Sequence, residues 1–171
     1  LYFIDNTEFE LIKNKYNDSK ICVGIVMIDN YEEIFQRISD EDKPQLIAKI
    51  EKSIYEWGNL FEALVIKSER DTYVICLEQK NLEELKESKF KILDSIKEIE
   101  NSDKAPITLS IAIANEGDSN YEKYKLAQAS IDIALGRGGD QAVIRENGKY
   151  VFFGGRAQEL EKRTKVKARM I

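Results

Sequence analysis

Three short stretches hold the residues of this 171-residue chain that could act on a phosphate-bearing substrate. Asp29 and Asn30 follow an apolar run, and Arg70 and Asp71 lie in a polar segment between two apolar runs. Gly136-Arg137-Gly138-Gly139-Asp140 follows a helical pattern. A carboxylate such as Asp71 can touch a phosphate-bound metal, and an arginine such as Arg70 or Arg137 can clamp the phosphate itself. Each stretch also has an ordinary structural explanation. Asp71 suits a hairpin tip because its side chain bonds locally, and Asp29-Asn30 suits a turn. The glycine cluster suits a helix C-cap, which carries negative partial charge and is the wrong end for phosphate.

The chain has no histidine, which removes Ser-His and Cys-His nucleophile pairs, imidazole metal sites and histidine-ligated haem. Two cysteines, Cys22 and Cys76, lie in apolar strand patterns and read as buried free thiols, too few for a zinc cage. A formal net charge of −5 argues against nucleic acid as a partner. No apolar run reaches the ~18 residues of a membrane span. The length suits one domain with a genuine core.

The elements that must place the polar residues follow from periodicity. Residues 21–28 are almost continuously apolar and β-branched, which predicts a strand buried on both faces. A short helix follows over residues 31–38. A second helix has Pro44 in its first turn, the stripe Leu46, Ile47, Ile50, Ile54 and Trp57, and Gly58 as its end. Ala63–Ile66 and Tyr73–Leu77 flank a polar turn and read as a hairpin. Asn81 is the expected cap of a long helix with the stripe Leu82, Leu85, Phe90, Leu93, Ile96 and Ile99, bounded by Pro106. Residues 107–113 alternate, predicting a strand with one face buried. Residues 121–135 are helical, and Glu146-Asn147-Gly148 turns between two short strands. At the N-terminus, Leu1–Asp5 reads as a strand end. The helix after it carries Phe9, Ile12 and Tyr16, either as the exit of an upstream module or as a helix packed on this domain.

A strand–helix–helix–hairpin–helix–strand–helix order with the hairpin at its centre resembles the GGDEF family, the diguanylate cyclase fold. The hairpin tip reads Glu69-Arg70-Asp71-Thr72-Tyr73 where the family has Gly-Gly-Asp/Glu-Glu-Phe. The resemblance implies an α+β domain: a mixed, mainly antiparallel sheet with helices on both faces. It also shows what is missing. The family's first strand ends Asp-Ile-Asp-x-Phe-Lys, and here Met27-Ile28-Asp29-Asn30-Tyr31-Glu32 puts Met27 at the metal-binding position. Thr72 replaces the acidic ligand at the tip. Mg²⁺ demands hard oxygen donors, which a thioether is not. The guanine-reading Asn and Asp fall on Phe35 and Pro44, and the inhibitory Arg-x-x-Asp falls on Leu60 and Ala63. Cyclase activity is therefore not expected.

The segments Ala134–Val143, Phe153-Gly154-Gly155 and Glu161–Arg169 resemble the GdpP/YybT-type cyclic-di-AMP phosphodiesterases, over essentially the whole chain. That resemblance implies residues 1–19 as the PAS exit and linker helix, 20–155 as a degenerate GGDEF domain, and 156–171 as a connector toward a DHH/DHHA1 phosphodiesterase module. It implies a cytoplasmic domain of a membrane-anchored bacterial protein, a homodimer in the parent, and regulation of a hydrolase by weak ATP binding with slow hydrolysis. The alternative is a ligand-free dimerisation and relay domain. The expected nucleotide contacts are Asp29, Asn30, Arg70, Asp71, Arg137 and Asp140. Asp71 is the metal contact for Mg²⁺ arriving with the nucleotide, and Mn²⁺ belongs to the DHH module alone.

Overall fold

The computed structural model describes residues 6–154. The expected strand end at residues 1–5 and the connector at 156–171 lie outside the described residues. The helices are α1 (Asn6–Asp18), α2 (Tyr31–Arg37), α3 (Lys43–Leu60), α4 (Gln79–Glu87), α5 (Ile92–Ser95) and α6 (Asn120–Gly136). The strands are β1 (Ile21–Ile28), β2 (Leu64–Lys67), β3 (Thr72–Glu78), β4 (Leu109–Ala114), β5 (Gln141–Glu146) and β6 (Lys149–Phe153).

The six strands form one sheet in the order β2-β3-β1-β4-β5-β6. Every neighbouring pair is antiparallel except β4 and β5. A parallel pair needs a crossover, and α6 supplies it. On one face, Cys22, Val26 and Ile28 of β1 pack into a core with Leu46, Ile50, Leu82, Leu85 and Leu93 from the helices between β1 and β4. On the other face, Ala127 and Ile131 of α6 pack on Ile25, Ala112 and Ala114. The α+β sheet with helices on both faces is therefore as expected, and β1 is buried along most of its length.

Several expectations need correcting. The strand over residues 107–113 was expected to bury one face, but β4 is buried at all its positions because α6 covers the second face. Gly58 does not end α3, which continues to Leu60. Gly58 is instead the point where β2 approaches, and a Cβ there would collide with the Val65 side chain. Asn81 is not a cap but a buried residue within α4, which begins at Gln79.

The long helix expected from Asn81 onward is broken. Lys89 and Phe90 take positive φ, and α5 with a 3-10 turn at Ile96–Glu98 follows. The five-residue step from Leu85 to Phe90 rotates the apolar stripe by about 140° on a helix of 100° per residue. A continuous helix would expose Phe90, whereas the break buries it to 1% exposure.

The N-terminal helix touches α4 but adds nothing to the core: α1 buries none of its residues, and Phe9, Ile12 and Tyr16 are exposed. Cys22 is buried, but Cys76 is only half-buried because it lies on the face of β3 that α6 does not reach. Among the described residues no helix is long and apolar enough to cross a membrane.

Candidate functional site

The end of β1 and the starts of β3, β4 and β5 share one edge of the sheet, so strand direction alone gathers Asp29, Asp71, Thr108 and Asp140 there. Asp29 is consumed by internal hydrogen bonds. Thr108 Oγ1 donates to its Oδ2 at 2.8 Å, Ser110 Oγ to its Oδ1 at 2.5 Å, and the Asp140 amide to its Oδ2 at 2.9 Å. Gly139, at φ +69°, lies so close that an added Cβ would sit 2.7 Å from Asp29 Oδ2. Asp140 is buried at φ +56° and is ion-paired to Lys97 at 2.6 Å. Asn30 Nδ2 donates to the Pro106 carbonyl at 3.0 Å. The Asp29-Asn30 turn thus fastens β1 to β4 and to the glycine loop after α6.

The cations are engaged as well. Arg70 Nη2 donates to Glu32 Oε1 at 2.8 Å, and its guanidinium stands 5.9 Å from the centre of the Tyr31 ring. Arg137 Nε donates to Gln141 Oε1 at 3.0 Å, and its guanidinium stacks on Phe152 at 3.7 Å. Asp71 is different. Its backbone carbonyl accepts the Ile28 amide, and its carboxylate accepts one side-chain bond, from Thr72 Oγ1 at 2.9 Å. Asp29 and Asp140 are thus brought into contact, while Arg70 and Arg137 are held toward α2 and β6.

Met27 and Thr72, the positions where the cyclases carry metal carboxylates, are direct partners across β1 and β3. The two positions matched separately from sequence therefore adjoin in the structure, as a thioether and a hydroxyl. With Asp29 already accepting three hydrogen bonds beside them, the residues do not fit a resident Mg²⁺. Among the described residues no group of three or more His, Cys, Asp or Glu could hold a metal. Phe35 is a core residue stacked on Tyr31 at 4.3 Å between ring centroids, and Pro44 opens α3.

Sequence reasoning missed Thr108, Ser110 and Lys97. The only signal for Thr108 and Ser110 was their alternation with Ile107, Leu109 and Ile111, which equally describes a solvated face, and Lys97 carried no signal at all.

A hairpin inserted between β1 and β4, with helices on both faces and a polar strand-end site, defines a GGDEF-type domain. The fold aligns with the active GGEEF domain of a diguanylate cyclase from Vibrio cholerae at a TM-score of 0.63 and 15% identity, covering 82% of this chain and 92% of that one. The family model described as "Cyclic-di-AMP phosphodiesterase GdpP-like, GGDEF domain" matches residues 26–152, and the chain belongs to that family. It is 39% identical, over its full length, to cyclic-di-AMP phosphodiesterase GdpP of Geobacillus thermodenitrificans (strain NG80-2). It is 36% identical, also over its full length, to cyclic-di-AMP phosphodiesterase PdeA of Listeria monocytogenes serotype 1/2a (strain 10403S). In both cases the chain spans 26% of the relative's length.

Proposed function

We propose that this domain is a regulatory, non-cyclising module of a membrane-anchored cyclic-di-AMP phosphodiesterase. It binds ATP weakly at the hairpin end of the sheet and hydrolyses it slowly. Its partners are the PAS and DHH/DHHA1 domains of the parent chain. The family membership and the relatives' names support the parent activity. The observation that carries the nucleotide site is the unequal use of two carboxylates. Asp29 accepts three hydrogen bonds, whereas the Asp71 side chain accepts one, from its neighbour Thr72.

The Asp71 carboxylate therefore keeps lone pairs for a metal that arrives on the nucleotide. Phosphates and water complete such a metal's shell, so one protein carboxylate suffices. Asn30, Arg70, Arg137 and Asp140 border the same edge. Arg70, 77% exposed in its side chain, can leave its surface pair with Glu32 at little cost. Neither Phe35 nor Pro44 offers a hydrogen bond to guanine, so the site has little base selectivity. ATP titration by calorimetry, with and without Mg²⁺, tests this reading. Asp71→Asn and Arg137→Ala should each weaken binding or hydrolysis, and unaltered binding and turnover in both would end it.

A second reading, a dimerisation and relay domain, rests on α1. Phe9, Ile12 and Tyr16 are 55%, 69% and 66% exposed on one stripe, and a 13-residue helix gains little stability without a partner. Sedimentation over a concentration series tests it, with Ile12→Lys expected to shift the chain to monomer.

A further inference from the structure

The two edges of the sheet are not alike. At the β6 edge, the guanidiniums of Arg137 and Arg145 stand over Phe152 and Tyr150, a charged cover of the kind that blocks further strand pairing. At the β2 edge, Leu64 and Ile66 are 59% and 51% exposed, on the face of the sheet that α6 leaves bare there. The charged side chain of β2, Lys67, lies on the opposite face and is tied to Glu51.

Hydrogen-bond alternation fixes which backbone groups of β2 are free. The Ile28 amide donates to the Asp71 carbonyl and the Gln79 amide to the Lys20 carbonyl, so the odd-numbered residues of β3 bond to β1. Thr72, Val74 and Cys76 are left for β2, where their partners are Ser68, Ile66 and Leu64. Val65 and Lys67 therefore turn their amides and carbonyls to the open edge. Ala63 turns its carbonyl there, its amide being taken by the Gly58 carbonyl.

We infer that β2 pairs antiparallel with β2 of a second copy of this chain, about a two-fold axis at Val65.

In a two-fold pair, residue i opposite j requires j opposite i, and hydrogen-bonded partners must both present backbone groups to the edge. A centre at Val65 uses Ala63, Val65 and Lys67 together, whereas a shifted centre leaves at least one of them unpaired. Val65 exchanges amide–carbonyl bonds with the partner's Val65, and each Lys67 amide donates to the partner's Ala63. The same register sets Leu64 against the partner's Ile66 at a non-hydrogen-bonded position, where side chains approach most closely. Lys67 meets alanine, so no like charges face each other. A foreign strand would satisfy the same backbone groups. The occupant is a second copy because the bond pattern, the apolar pair and the absence of facing charges coincide in one symmetric register. The edge is only 4 residues long, so the contact falls below roughly 1,200 Å² and the dimer is weak and reversible. It uses none of α1.

Sedimentation of this chain over a concentration series should show a monomer–dimer equilibrium half-complete below about 1 mM. As dimer accumulates, hydrogen exchange at the Val65 and Lys67 amides should slow. Leu64→Lys and Ile66→Glu change exposed side chains, so each should leave Tm nearly unchanged while weakening self-association at least about tenfold. Mixing the two variants should restore association, because opposite charges then face each other at one position and Ile66 meets Leu64 at the other. A mixture that stays monomeric overturns the register. Association that ignores both substitutions overturns the edge pairing, and its loss in Ile12→Lys would assign the contact to α1. No association up to about 1 mM overturns the inference.

Discussion

The carboxylate of Asp29 accepts the backbone amide of Asp140 at 2.9 Å, across 111 residues of sequence. The last residue before the β1 turn thereby sets the path of the glycine loop entering β5. One of the acids at this edge thus holds the edge together.

Asp29→Asn and Asp71→Asn should separate structure from binding. An amide at position 29 presents one oxygen where two now accept bonds from Thr108, Ser110 and Asp140, so at least one buried donor loses its acceptor. The cost is about 2 kcal/mol, or a fall in Tm of roughly 4–8 °C for a chain of this size. Asp71→Asn should leave Tm within about 1 °C, since its carboxylate accepts a bond only from Thr72. Thermal melts of both variants check this, and equal stability would dismiss Asp29 as an anchor.

Gly139→Ala should be more damaging than a typical loop substitution. The residue is at φ +69° and its Cβ would sit 2.7 Å from Asp29 Oδ2. Left-handed backbone alone costs alanine roughly 1–2 kcal/mol, and the clash adds to it. Gly148→Ala is the control, because it also has φ +69° but nothing lies near its Cβ. Urea unfolding of the two should show Gly139→Ala the less stable by more than about 1 kcal/mol.

Alkaline pH should destabilise the domain through Cys22. Burial pushes its thiol from an ordinary 9.0 up to about 12. Between those values the unfolded chain has lost a proton that the folded chain keeps, so stability is fully present below about pH 9 and falls as pH rises toward 12. Tyr73 moves the same way, its hydroxyl raised first by burial and then by Glu51. In Cys22→Ala the slope of stability between these pH values should be smaller. An unchanged slope would assign the effect to Tyr73 and other groups.

No cyclic dinucleotide should form from GTP or ATP. Met27 and Thr72 face each other across β1 and β3 and cannot hold the metal pair of a cyclase. A missing metal clamp is worth several decades of rate at about 1.4 kcal/mol each. Incubation at high protein concentration with chromatographic detection of product checks this.

The sequence by itself determined most of the architecture and the replacement of the cyclase carboxylates by Met27 and Thr72. The unbroken apolar run of β1, the hairpin around residues 68–72 and the stripe of α3 are local patterns, and local periodicity reports which face a residue presents. That Met27 and Thr72 stand where the cyclases carry carboxylates was also legible, whereas their pairing across β1 and β3 came only from the structure. Only the tertiary structure decided what Asp29 does, since its partners Thr108, Ser110 and Asp140 come from loops and strands 79 to 111 residues away. It likewise decided that β4 is buried on both faces and that the chain breaks at Lys89 and Phe90. A carboxylate at a strand end is the same residue in sequence whether it meets a metal or three donors. The difference lies in which segments converge on it, and side-chain hydrogen bonds between distant segments leave no period in the chain.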